Sequence, residues 1–302
     1  MKDTIPILLM GGLFVLTYGL ALLVMPHFEV AGLGVYENPD DPLNIVYFIL
    51  TLLVVTAVLL VIAKFWKKRV VQVIVLGSVG YIAFLVFYAF LAAVVSDVVA
   101  LALSGIAVAA AIALLVKHPE WYVIDVAGIL LGLGTIAMLG ISLSISLVIV
   151  LLVGLSVYDA ISVYKTRHMI ELADVVLDLN LPVLLVIPKK RNYSLIKDSK
   201  GLKEKIKEGE ERDAFFMGLG DVVMPGILVA SAFHNITSNG LSVALSIVLG
   251  TLVGFAVLVV FLIRGKPQAG LPYLCTGAIL GYLISSYLLF GRLAGFSLPF
   301  LG

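Results

Sequence analysis

Charge is scarce in this chain of 302 residues: Asp, Glu, Lys and Arg make up 13%, about half the share in an ordinary soluble domain. Cysteine is nearly absent. With Cys275 alone, an intramolecular disulfide, a four-thiolate zinc site and an iron–sulfur cluster are excluded. The four histidines (His27, His118, His168, His234) are scattered and no HExxH occurs, so a zinc metalloprotease would lack the ligand pair it places on one helical face. The net charge of +1 says little by itself; neither a nucleic-acid partner nor a metal is expected. What the chain has in abundance is hydrocarbon. Its residues are 62% hydrophobic and its mean hydropathy is +1.16, which rules out a water-soluble fold and makes a bilayer the solvent for most of it.

A helix needs about 20 mostly apolar residues to cross a bilayer at about 1.5 Å per residue. Cutting the apolar runs at charges, proline pairs and polar clusters leaves nine of them, at about 5–25, 44–63, 70–95, 98–116, 122–140, 143–164, 215–233, 241–263 and 271–290. The expected fold is an all-α polytopic membrane protein with nine transmembrane helices. The first run is long for a signal-peptide core and no small-residue cleavage site follows it, so it is read as a span. Nine crossings force the loops to alternate, and nineteen of the twenty Lys and Arg then fall on one side, leaving only Arg292 on the other. The first loop, with Glu29, Glu37, Asp40 and Asp41 and no basic residue, lies on the side poor in basic residues. Basic loops stay cytoplasmic, so the N-terminus is expected inside and the C-terminus outside. This divides the chain into a six-span part (1–164), a cytoplasmic loop (165–214) and a three-span part (215–302). In the loop, Leu181 to Pro188 is too short to span and is bracketed by prolines, which favours an extended segment. The Lys197–Arg212 run reads as a solvated loop or exposed helix. No repeat relates the two spanning parts, which weighs against an inverted-repeat transporter.

An ionisable group within a span is costly and marks function unless it is otherwise explained. Asp97 lies in a short external turn, and Asp125 stands near an interfacial Trp121–Tyr122 pair; both read as headgroup-level charges. Asp159 and Asp221 differ, because apolar residues flank them on both sides. Asp159 precedes Lys165 by six residues, about 9 Å of helix, and Asp221 follows Asp213 by eight, about 12 Å if helical. Two carboxylates on consecutive, oppositely directed spans thus sit at matching depth below one membrane face. Brought within a few ångströms in low dielectric they cannot both ionise, so the pair shares a proton. That state suits an aspartic protease, in which one acid takes a proton from water while the other polarises the scissile carbonyl. It equally suits a transporter or cation leak pathway with the two acids as its ion or proton site.

The local sequences separate these readings. Asp159 stands in Tyr158-Asp159, and Asp221 closes Gly218-Leu219-Gly220-Asp221. With YD in span six, GxGD in span seven, nine spans and a large loop between six and seven, the chain resembles the presenilin and signal-peptide-peptidase family of intramembrane aspartyl proteases. The likeness is greatest to a compact prokaryotic, archaeal member. The family's third motif, Pro-Ala-Leu usually followed by Pro, meets Ala269-Gly270-Leu271-Pro272 here; Leu271 and Pro272 match and the first two residues depart.

The resemblance implies an endopeptidase that hydrolyses transmembrane helices with a dyad of Asp159 and Asp221 and a water, without a cofactor. Tyr158, Gly218, Leu219, Gly220, Ala269, Gly270, Leu271 and Pro272 are its implied substrate-positioning residues. Gly218 and Gly220, lacking side chains, let a helix or substrate backbone approach Asp221. An irregular segment at Gly270–Pro272, together with the 181–188 stretch, is expected to pair with an unwound substrate as strands. The partners are then transmembrane-helix substrates and the lipid bilayer of a prokaryotic cell membrane, with a homo-oligomer left open. Prepilin-type peptidases share the GxGD acid but have fewer spans, and signal peptide peptidases have the opposite orientation. A serine protease would need Ser104 and His234, and Ala102-Leu103-Ser104-Gly105 lacks the first glycine of the rhomboid GxSG.

Overall fold

The computed structural model describes residues 4–65, 68–166, 182–189, 193–194, 214–263 and 268–297. Among these, the chain forms α1 (Thr4–Val30), α2 (Leu43–Phe65), α3 (Lys68–Ala92), α4 (Asp97–Lys117), α5 (Trp121–Ser142) and α6 (Ile145–Ile161), then a π-helical turn at Ser162–Thr166. Strands β1 (Leu184–Pro188) and β2 (Ala214–Gly218) follow, and then α7 (Leu219–Asn235), α8 (Gly240–Ile263) and α9 (Gly270–Phe290). The Lys197–Arg212 run lies outside the described residues.

Among the described residues, seven helices are long and apolar enough to cross a membrane. Their outer faces stay apolar where water would demand polar groups: Ile106 is 66% exposed and Leu249 64%, as suits side chains solvated by lipid. Helix α7, with 17 residues, is about 26 Å long. The span expected at 215–233 therefore needs correcting, because its first residues form β2 and the helix starts only at Leu219. Phe215 and Phe216 suit a strand, Gly218 and Gly220 are poor helix formers, and β1 supplies a partner.

The chain divides into two compact units. One holds the described parts of 1–9, 46–134 and 169–219. Its core joins Leu76 and Val79 of α3, Leu115 of α4, and Ile124 and Ala127 of α5. β1 and β2 pair antiparallel, with Leu184 opposite Gly218, Val186 opposite Phe216 and Pro188 opposite Ala214.

The other unit holds the described parts of 10–45, 135–168 and 220–302. Phe14 of α1 packs on Phe255 of α8 with ring centroids 5.3 Å apart, and Gly226 of α7 gives room to Ile136 and Tyr18. The Ser231 hydroxyl donates to the Leu143 carbonyl at 2.7 Å. α8 and α9 meet backbone to backbone: a β-carbon on Gly250, Gly254, Gly277 or Gly281 would run into the facing main chain. Small residues four apart permit such contact where lipid supplies no hydrophobic drive between helices.

Candidate active site

Both singled-out aspartates lie in the second unit, at helix ends. Asp159 is two residues from the last residue of α6, and Asp221 is the third residue of α7. Because β2 replaces helix ahead of Leu219, Asp221 belongs to a first helical turn and not to the interior of a long span. Both acids are half-buried and near enough to interact electrostatically.

The N-terminus of α9 touches both. The Leu271 N–H donates to Asp159 Oδ2 at 3.1 Å. A β-carbon built on Gly270 would lie 2.7 Å from Asp221 Oδ2, so one acid accepts from the Gly270–Leu271 segment while the other packs on its bare Cα. A helix begins with N–H groups that have no partner within it. The N-cap residue of α9 is Ala269, whose side chain makes no capping bond, so Asp159 supplies from α6 the acceptor that Ser or Asp would supply locally. Pro272 falls in the first turn, where a missing N–H costs nothing.

The segment leading into α9 is held by a second clamp. Gln268 Oε1 accepts from the Tyr164 hydroxyl at 2.8 Å and from the Tyr273 hydroxyl at 3.3 Å, and Tyr164 sits in the π-helical turn after α6. Ser156 Oγ lies 3.5 Å from the Leu271 carbonyl oxygen. On α7, Pro225 has no N–H to donate one turn back, and the helix nevertheless continues to Asn235. The buried Tyr18 hydroxyl donates to the Val222 carbonyl at 2.9 Å, fastening the turn that carries Asp221. Sequence reading missed Tyr18, Tyr164, Gln268 and Ser156. Uncharged polar residues in apolar runs are common, and only the fold shows where these hydroxyls and this amide reach.

The other expected residues are placed as follows. Leu219 and Ala269 are buried, Gly218 ends β2, and Tyr158 is 62% exposed on α6. A β-carbon on Gly220 would meet nothing within 4 Å, which leaves open space at Gly220 itself. In the first unit, β1 confirms an extended segment after Pro182, but both its edges are engaged. One edge pairs with β2, and on the other the Val186 N–H donates to Asp125 Oδ1 at 2.8 Å. Asp125 is 5% exposed, so it is a buried acceptor for the strand. Antiparallel partners alternate between hydrogen-bonded and outward-facing pairs. Leu219 N–H donates to the Val183 carbonyl at 2.9 Å and Val186 faces away from β2, so Phe216 opposite it also points its N–H and C=O outward. Among the described residues no hydrogen bond meets that outer edge of β2. Among the described residues, the edge without a hydrogen-bond partner is therefore that of β2 and not that of β1. The serine-protease pairing has no support: Ser104 Oγ donates to the Ala100 carbonyl of its own helix, and His234 lies 3.7 Å from Glu29.

Comparison with known proteins bears on most of the chain. A family profile described as signal-peptide peptidase, presenilin aspartyl protease matches residues 11–292. Two solved structures of a presenilin family intramembrane aspartate protease are similar. One, in space group C222, has 33% identity and a TM-score of 0.71 over 94% of this chain and 99% of its own. The other, in space group P2, has 35% identity and a TM-score of 0.70 over 95% and 99%. No curated protein matches.

Proposed function

The chain belongs to the signal-peptide peptidase and presenilin family of aspartyl proteases, and from that membership we propose that Asp159 and Asp221 are its catalytic dyad. It is an integral membrane protein and an intramembrane aspartic endopeptidase, of a family that acts on transmembrane substrates. The observation that carries the residue assignment is the α9 N-terminus, which binds Asp159 through the Leu271 N–H and seats Asp221 on Gly270.

Two adjacent carboxyls that share one proton provide a base and an acid together. The ionised carboxylate takes a proton from water as the water oxygen attacks the scissile carbonyl, and the protonated partner donates a hydrogen bond to the carbonyl oxygen. As the tetrahedral intermediate collapses, a carboxyl returns a proton to the departing amide nitrogen. A metal is not needed for any of these steps.

A helical substrate hides its peptide groups, so it must unwind, and in a bilayer the freed N–H and C=O groups require partners. The outer edge of β2 offers them by strand addition, in chain that continues through Leu219 and Gly220 to Asp221. Gly218, Leu219 and Gly220 thus serve as a side-chain-poor approach, and Ala269 to Pro272 align the acids. The basic residues support nine crossings with the N-terminus cytoplasmic, the six-span part at 1–164, the cytoplasmic loop at 165–214 and the three-span part at 215–302. A prokaryotic cell membrane is the proposed location.

The test is hydrolysis of a transmembrane peptide by the purified protein in detergent across pH. The rate is expected to be bell-shaped, falling at acid pH where both acids are protonated and at alkaline pH where both are ionised. A rate still rising at strongly alkaline pH would overturn the dyad.

A further inference from the structure

Among the described residues, the mechanism leaves one buried acid unused. Asp125 lies in α5, and a buried carboxylate is retained only where something compensates its cost. Its 5% exposure and its 2.8 Å bond from the Val186 N–H show the compensation. Gly128, three residues further along α5 and so on the same helical face, meets the same strand. A β-carbon there would lie 3.4 Å from Leu185 Cδ2 and 3.5 Å from the Pro182 carbonyl oxygen. Just ahead of α5, Glu120 Oε1 accepts from the Ser194 hydroxyl at 2.6 Å. The start of α5 therefore grips the chain along β1 and beyond it.

We infer that Asp125 is a positioning residue for cleavage: by taking the outward N–H of β1, it blocks that edge to substrate and fixes the register of β2. Rotating a strand by one residue exchanges its inward and outward groups. A β1 with an unclaimed outer edge would offer a second place for an unwound substrate to pair, and a β1 free to slide would shift β2. Either change moves the substrate along the chain that leads to Asp221. The inference rests on the proposal that substrate adds to β2.

The experiment compares cut positions in a transmembrane peptide by mass spectrometry. Asp125→Ala is expected to spread cleavage over neighbouring bonds and to lower kcat/KM about tenfold, the effect of one lost hydrogen bond. Asp125→Asn keeps the acceptor oxygen and is expected to retain the wild-type cut positions. Should Asp125→Ala not fold, replacing the Val186 amide by an ester deletes the same bond from the strand side and is expected to spread cleavage likewise. Unchanged cut positions in the Ala or ester variant, or spreading in Asn equal to that in Ala, would overturn the role.

Phe216→Pro separates this role from the reading beneath it, because it removes an outward N–H of β2 without touching the β1–β2 bonds. A KM raised about tenfold supports strand addition to β2. An unchanged KM overturns strand addition and the Asp125 role with it. A raised KM beside unchanged cut positions in Asp125→Ala overturns the Asp125 role alone.

Discussion

Asp159→Asn and Asp221→Asn are each expected to lower kcat for peptide cleavage by roughly 10⁴-fold or more, with thermal unfolding little changed. General acid–base assistance contributes about 10²–10⁴ per positioned group. In a dyad, losing either member also leaves the other in the wrong protonation state, so the loss exceeds one group's share. Residues that act as a unit are strongly non-additive. The double variant should therefore be about as slow as the singles, whereas independent roles would multiply the losses. Single-turnover cleavage followed by mass spectrometry measures all three. The singles differ in one further respect. Asp159 caps α9 from α6 through the Leu271 N–H, and the amide of Asp159→Asn keeps an acceptor there, whereas Asp159→Ala leaves that N–H unpaired and costs about 1 kcal/mol of stability as well. A single variant that retained near-wild-type kcat would remove its residue from the dyad.

The second large effect belongs to Gly270→Ala. This change would restore the residue found in the family's Pro-Ala-Leu motif, yet a loss of about 10²-fold in kcat is expected. The new methyl group would arrive 2.7 Å from Asp221 Oδ2 and 2.9 Å from its Cγ, well inside contact distance, so the carboxylate must turn away. A misplacement of about 1 Å at a reacting group can cost about that factor. The α9 backbone cannot retreat easily, since Asp159 and the Gln268 clamp hold it. KM should change little, because the outer edge of β2 is untouched. Wild-type kcat in Gly270→Ala would show that Asp221 does not depend on this seat.

This glycine illustrates how unevenly the site can be read from sequence. The two acids stood out because ionisable groups are rare in apolar runs and because short motifs surround them. The Ala269-Gly270 departure read as a weakened motif, and only the fold shows Gly270 fitted against Asp221. Long aliphatic runs gave the helices within a few residues at most ends. β2 was absorbed into a predicted span because Ala-Phe-Phe-Met joined to the apolar run of α7 has no periodicity to distinguish strand from helix. The strand partner of Asp125 is hidden from sequence for a related reason. The acid's sequence neighbours, Trp121 and Tyr122, are those of an interfacial residue, while its partner Val186 is 61 positions away. Long-range backbone acceptors leave no local trace.

The glycine seam between α8 and α9 also has a mechanical meaning. Side chains between helices act as springs, changing rotamer to absorb small displacements; main chain in direct contact with main chain has no such compliance. At Gly250, Gly254, Gly277 and Gly281 there is no cushion, so the two helices are expected to move as one lever. Its tip is the Gly270–Leu271 turn resting on both acids. A displacement of α8 is therefore expected to carry α9, and with it the Gly270–Leu271 segment that touches both carboxylates.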